Sequence, residues 1–382
     1  MRIFISAGEP SGDLHGANLI RAVRRLRPDV EFVGYGGDRM AEAGCRLLYP
    51  LCQLAVMWFL RVLANLHVFF NLIARADRYF RHHKPDAVIL IDYPGLHWWL
   101  ARRAHVHGVP VYYFVPPQLW AWAGWRVRKM RKWVDHVLCT LPFEEPWYHA
   151  RGVPARYIGH PYFDELSRQQ LDAEFLARER QRGGAVVGLL PGSRTQEVKH
   201  NFPTLLRTAL RVHRKRPDVR FLVACYKPEH REMVTAALRG HALPIEPHVG
   251  RTAEIIHLAE ACVAVSGSVS LELLYHTKPA VVVYKVGMLG LRVSRRVMSA
   301  RYISLVNLLA DRELFPEYLT DRCESRPIAE QLVRWLDDRA AHQRLRRELA
   351  ELRARVGQPG ACDRAAQYIL DTLTPGRQPA AA

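Results

Sequence analysis

The sequence predicts an α/β protein made of two parallel sheets, one in each half of the chain. Three observations carry this. Apolar strand-like runs enter a Gly-containing turn and then a helical pattern around residues 3–16, 185–198 and 262–272. Basic helical stretches end in Arg27-Pro28-Asp29, Lys84-Pro85-Asp86 and Arg216-Pro217-Asp218, each leading into an apolar strand, with proline stopping the helix and aspartate making the turn. Alternation of this kind argues for βαβ units, and 382 residues suit about two domains of ~100–200 residues each.

In order, residues 3–7 are a strand and Gly8-Glu9-Pro10-Ser11-Gly12-Asp13 a turn, before a helix with Leu19, Ile20, Val23 and Leu26 on one face. Residues 47–73 are unusually apolar, with Phe59, Val62, Leu63, Leu66, Phe69, Phe70 and Ile73 sharing a helical face. Arg61 interrupts the run, so neither part reaches the ~18–20 residues of a membrane span. A core helix and an interfacial helix both fit. Residues 93–134 contain no Asp or Glu but six of the nine tryptophans, among seven Arg and Lys. That mixture suits a membrane interface or a phosphorylated glycolipid. Single-stranded nucleic acid is disfavoured, because no recognised module accompanies it. After a strand at 155–159, residues 168–182 read as a linker. Further strands are expected at 185–190, 220–224, 262–265 and 280–284, then a charged helical stretch at 328–356, a break at 357–360, a helix at 365–373 and a frayed tail.

The net charge of +18 calls for an anionic partner or surface. Seven scattered cysteines with no metal-binding spacing point to a reduced setting, with no metal site and no cofactor. The N-terminus runs directly into a strand and does not read as a signal peptide.

The chemistry concentrates at turns. Gly192-Ser193-Arg194 opens a helix whose free N–H groups and guanidinium suit phosphate. Ser266-Gly267-Ser268 opens another, with Glu272 one turn in and placed for a ribose diol. Together they describe a nucleotide-diphosphate pocket. Neither fits a P-loop or a dinucleotide fingerprint.

With these motifs the chain resembles the lipid-A-disaccharide synthase family. The resemblance runs nearly end to end: Ala7–Asp13, Ile91-Asp92-Tyr93-Pro94-Gly95, Pro117-Gln118-Leu119-Trp120-Ala121-Trp122, Gly159-His160-Pro161, Leu190–Arg194, Ser266–Glu272 and Asn307-Leu308-Leu309. It implies two Rossmann-like domains facing across a cleft (the GT-B type), with the C-terminal helix crossing back to the first domain. Residues 1–165 with 361–374 would face acceptor and membrane, 166–356 would hold the donor, and 375–382 would fray. It implies inverting transfer of 2,3-diacylglucosamine from UDP to the 6-hydroxyl of 2,3-diacylglucosamine 1-phosphate, without a metal, at the cytoplasmic face of the inner membrane, and is compatible with a homodimer. Donor contacts would be Gly192, Ser193, Arg194, Ser266, Gly267, Ser268, Glu272 and Asn307. Trp58, Phe59, Phe69, Phe70, Trp120, Trp122 and Arg126 would meet acceptor or bilayer.

Where the family pattern often carries a second acid, this chain has Gly95. The base is therefore open among Asp92, Glu9, Asp13 and His97, with Asp92 favoured. Pro116-Pro117 replaces a usual Ser-Pro. A UDP-sugar 2-epimerase, transfer to another glycolipid, and a non-catalytic basic membrane binder are the alternatives.

Overall fold

Ala87–Ile91 is apolar and buried at every position, as a strand covered on both faces must be. In the computed structural model, which describes residues 1–55, 66–265, 267–288 and 300–374, it is the fourth of seven parallel strands. These are β1 (Arg2–Ala7), β2 (Glu31–Tyr35), β3 (Cys45–Tyr49), β4 (Ala87–Ile91), β5 (Val111–Phe114), β6 (His136–Cys139) and β7 (Ala155–Tyr157). Their order is β3-β2-β1-β4-β5-β6-β7. One face carries helices Pro10–Leu26 and Ala361–Leu373, through Leu19, Ile20, Val23, Ala365 and Ile369. The other carries Leu66–His83, Pro94–Val106 and Val127–Trp133, through Leu72, Phe80, Leu96, Leu100 and Met130.

The chain divides into two compact units: residues 1–164 with the C-terminal stretch from Gln358, and Glu165–Gly357. The C-terminal helix thus returns to the first unit. Its first turn is held by buried Asp164, whose carboxylate accepts from the N–H groups of Gly360 (2.6 Å), Ala361 (3.0 Å) and Cys362 (2.8 Å). Further along, the Tyr112 and Thr372 hydroxyls are hydrogen-bonded at 2.7 Å.

The second unit repeats the plan with β8 (Val186–Leu190), β9 (Arg220–Cys225), β10 (Ile245–Val249), β11 (Ala261–Ala264), β12 (Ala280–Lys285) and β13 (Glu317–Thr320), ordered β10-β9-β8-β11-β12-β13. Its pairings are all parallel. The edge strands β10 and β13 were not expected from sequence. They are half-buried and polar, and β10 contains Pro247, which an edge tolerates because one side of the strand has no partner. The expected helical stretch at 328–356 is two helices, Ser325–Asp337 and Arg339–Val356. Asp338 divides them by accepting from Ala341 N–H at 2.9 Å, a side-chain cap competing with continued helix.

The Arg-Pro-Asp junctions are bidentate clamps. Arg27 grips Asp29 at 3.1 Å through both nitrogens, and Arg216 grips Asp218 at 2.9 and 2.8 Å. Both are exposed, so they define the turn more than they stabilise the fold.

Replacing Asp164 leaves three helix-start N–H groups without their acceptor. Asp164→Ala is expected to lower stability by about 2 kcal/mol, read as the midpoint of urea unfolding. An unchanged midpoint would show that the carboxylate does not anchor this helix.

Candidate active site

In the first unit β1 and β4 are neighbours, with Ala7 opposite Ile91. Their connections leave to opposite faces: β1 runs into helix Pro10–Leu26 and β4 into Pro94–Val106. A crevice opens at the strand ends wherever neighbouring connections diverge like this. Gly8-Glu9 and Asp92-Tyr93 stand there, 83 residues apart in sequence but on adjacent strand ends.

Asp92 and Tyr93 both adopt left-handed backbone, at φ 47° and 49°. The Asp92 carbonyl accepts from Tyr113 O–H at 2.7 Å and from His97 Nδ1 at 2.6 Å. Because a carbonyl only accepts, His97 carries its proton on Nδ1. Its Nε2 then accepts from the Ser6 hydroxyl at 2.9 Å. The Tyr93 ring lies where a Cβ on Gly8 would be, 2.2 Å from the ring Cγ, so only glycine allows this approach. Burial and the neighbouring Glu9 carboxylate push the Asp92 carboxyl up to about 6.

The four candidate bases separate by environment. His97 is fully buried, both ring nitrogens are occupied, and burial pushes it down to about 3. Asp13 is also buried. It accepts from Gly37 N–H (2.8 Å) and Met40 N–H (3.1 Å) on one oxygen and from Arg39 N–H (3.1 Å) on the other. It braces the start of helix Asp38–Glu42. Glu9 and Asp92 are the half-buried pair.

The second unit has the same geometry. β8 and β11 are neighbours, with Leu190 opposite Ala264, which brings the Gly192–Arg194 and Gly267–Ser268 turns to adjacent strand ends. Gly192, at φ 113°, leaves room for Glu197: an added Cβ would lie 2.6 Å from its Oε2. That oxygen accepts from the N–H groups of Ser193 (3.1 Å) and Arg194 (3.2 Å), and Oε1 from the Arg194 guanidinium (3.0 Å). An internal carboxylate thus sits at the helix start where sequence reading placed phosphate. The Arg194 side chain is nevertheless 71% exposed. Gly267 and Ser268 are exposed, and the Gly267 carbonyl accepts from the Ser270 hydroxyl at 2.8 Å. Glu272 is buried in helix Val269–Tyr275. Ser266 lies outside the described residues.

Asn307, expected at the donor, ties the end of its helix to the loop that follows. It is fully buried, donates to Phe315 O (2.7 Å) and Glu317 Oε1 (2.8 Å), and accepts from Leu314 N–H (2.8 Å) and Phe315 N–H (2.9 Å). Both amide hydrogens and the amide oxygen are thus engaged within the chain.

On the outer face of the first unit, Phe70 (63%), Trp122 (46%) and Trp125 (65%) are exposed, as is Trp99. The Arg126 guanidinium lies over both the Trp122 and Trp125 rings, at 4.9 and 5.2 Å. Phe69 turns inward against the core. Trp120 is half-buried, and its indole N–H donates to buried Glu144 at 2.9 Å. Trp58 and Phe59 lie outside the described residues. Among the described residues, no helix is long and apolar enough to cross a membrane. Glu179, Glu246 and His248 come within metal-ligand distance of one another. Arg182 and Arg220 already hold the two carboxylates there, so cationic groups fill the place of an ion.

Against known proteins, residues 3–371 match the family model described as lipid-A-disaccharide synthetase. The chain belongs to the lipid-A-disaccharide synthase family. A synthase of that name from Myxococcus xanthus is 36% identical over 379 residues, covering 98% of both chains. Another, from Geobacter sulfurreducens, is 35% identical over 97% of both. Among solved structures, a UDP-GlcNAc 2-epimerase from Neisseria meningitidis bound to UDP-GlcNAc aligns with a TM-score of 0.64 at 11% identity, over 98% of this chain and 99% of that one. MurG from Acinetobacter baumannii aligns with a TM-score of 0.60 at 14% identity, over 97% and 99%. These structures share the glycosyltransferase-like α/β fold.

As a family member the chain is a glycosyltransferase of lipid A disaccharide formation, acting on acylated glucosamine glycolipids. The turns after β1, β4, β8 and β11 that carry four of its family motifs lie at adjacent strand ends. The Glu197 cap was not found from sequence, although Ser193 and Arg194 three to four residues before a Glu resemble a capping box. Tyr113 was also missed, since a tyrosine in an apolar strand gives no sign of what its hydroxyl reaches.

Burial holds His15 at about 4, and holds His97 and His160 at about 3. All three belong to the first unit. The unfolded chain takes these protons near 6.5, so below that pH it binds more protons than the folded chain does. Stability therefore falls with pH, by about 1.4 kcal/mol per pH unit for each group. Asp92, raised when folded, works the opposite way between its ordinary range and about 6 and offsets one of the three. The urea midpoint is expected to drop steadily from pH 7 to pH 5. A flat profile would mean that these imidazoles titrate normally.

Proposed function

We propose that this glycosyltransferase moves 2,3-diacylglucosamine from UDP to the 6-hydroxyl of 2,3-diacylglucosamine 1-phosphate by a single inverting displacement, with Asp92 as the base. The observation that carries the assignment is the Asp92 carboxyl beside Glu9 at the strand-end crevice, raised to about 6. A carboxylate with that proton affinity is a better acceptor near neutral pH than one in the ordinary range. It takes the proton of the acceptor hydroxyl as that oxygen bonds to the anomeric carbon. The anomeric carbon–phosphate oxygen bond breaks, and UDP leaves with the electron pair.

On the donor side, Arg194 meets the developing charge on the diphosphate, with the Gly192-Ser193 and Gly267-Ser268 turns around it and Glu272 toward the ribose. Glu197 currently satisfies the turn N–H groups and one nitrogen of Arg194, so an incoming diphosphate takes over part of its role. The reading needs no resident metal or cofactor, because Arg194 supplies the positive charge. The exposed Phe70, Trp99, Trp122 and Trp125 with Arg126 support peripheral attachment to the cytoplasmic face of the inner membrane, aromatic rings entering the headgroup layer and guanidinium meeting phosphate.

Product analysis by mass spectrometry, after incubation with UDP-2,3-diacylglucosamine and the acylated glucosamine 1-phosphate, is expected to show the disaccharide and UDP. Absence of disaccharide would overturn the substrate assignment. Asp92→Asn is expected to lower kcat by about 100-fold or more and leave UDP affinity unchanged. Arg194→Ala should instead weaken UDP binding by roughly 10- to 100-fold, measured by calorimetry, through loss of a charge-assisted contact. Full UDP affinity in Arg194→Ala would move the donor site elsewhere.

A further inference from the structure

We infer that His97, Tyr113 and Ser6 are positioning residues that hold the Asp92 main chain in its left-handed turn and so present the carboxylate beside Glu9. The inference rests on the reading of Asp92 as the base.

Two consecutive non-glycine residues with positive φ form a backbone that persists only where its surroundings impose it. Pro94 adds to the constraint, since a residue before proline prefers extended backbone, the conformation into which a released Tyr93 would relax. Two hydrogen-bond donors converge on the Asp92 carbonyl, His97 Nδ1–H at 2.6 Å and Tyr113 O–H at 2.7 Å. Together they occupy both lone pairs and fix the orientation of the peptide unit. With the Nδ1 proton committed to the carbonyl, the Ser6 hydroxyl on β1 donates to Nε2 at 2.9 Å and holds the ring from its other side. Ser6, His97 and Tyr113 are all fully buried. A hydrocarbon side chain at 97 would fill the same volume without gripping the carbonyl.

The groups facing Asp92 are Glu9 from the Gly8 turn, Tyr113 from β5, Tyr93 beside it and His97 from its own helix, with Cys52 beyond, its Sγ 3.5 Å from the Glu9 carbonyl. Of these, burial and Glu9 raise the Asp92 carboxyl. If the turn relaxes, the carboxylate leaves both influences and becomes more acidic. The acid limb of the pH–rate profile then moves to lower pH while the maximal rate falls.

The test is steady-state kinetics of the full chain with both lipid substrates in detergent micelles, across pH 5 to 8. His97→Leu is expected to lower kcat by about 100-fold, as misplacement of a reacting group does, with donor KM unchanged and the acid limb shifted down. His97→Asn, whose amide can donate from near the Nδ1 position, should recover most of kcat and return the limb. Tyr113→Phe, which removes one hydroxyl, should give a smaller loss with the same direction of shift. If His97→Leu binds UDP normally and keeps both kcat and the limb, the positioning role is wrong. Should His97→Leu not fold, Tyr113→Phe decides: an unmoved limb overturns the inference and a downward shift supports it. Asp92→Asn, run in parallel, separates the two readings. Retained activity there removes Asp92 as the base, whereas loss there with an indifferent His97→Leu rejects only the positioning role.

Discussion

The structure depends on one constraint, repeated in each unit: two adjacent parallel strands send their connections to opposite faces of the sheet. Parallel pairing requires a crossover after each strand, and where neighbouring crossovers diverge the turns after the two strands come together between them. In the first unit this brings together Glu9 and Asp92, after β1 and β4. In the second it brings together the Gly192–Arg194 and Gly267–Ser268 turns, after β8 and β11. The largely apolar, buried strands beneath provide the rigidity that lets polar side chains stand in strained or crowded positions above them.

Burial then decides which of the polar groups near these ends is free to react. Asp13, Asp164 and Asn307 are chemically capable side chains, but backbone N–H groups consume their acceptors. An unmade hydrogen bond in the interior is costly, so such contacts are not readily given up to a ligand. His97 is neutral for the related reason that a charge there would be desolvated without a counterion. Asp92 is the intermediate case: buried enough, and near enough to Glu9, to hold its proton more tightly than usual, yet half-open to solvent.

The outer face of the first unit shows the same sorting by surroundings. Tryptophans close in sequence have different fates: Trp98 is in the core, Trp120 is tied to Glu144, and Trp122 and Trp125 stand out with Arg126 over both rings. Helical spacing places them on faces, and neighbouring elements determine which face meets water.

The sequence by itself determined the alternating architecture, the glycine corners and the family, because glycine turns, Pro-Asp junctions and buried apolar strands are local signals dictated by backbone sterics and strand periodicity. It also singled out Arg194 and Asp92, whose residue types announce their chemistry. Only the tertiary structure decided what each polar group is bonded to. Glu197 capping its own helix, Asn307 clamping a loop, and His97 and Tyr113 converging on one carbonyl with Ser6 behind the imidazole are contacts of specific geometry, and neither the local ones nor the Ser6–His97 and Tyr113–Asp92 pairs can be read from spacing. The physical reason is that hydrogen bonds have directions and the chain order does not: spacing can bring a donor to a strand end, but only packing decides which acceptor it faces there.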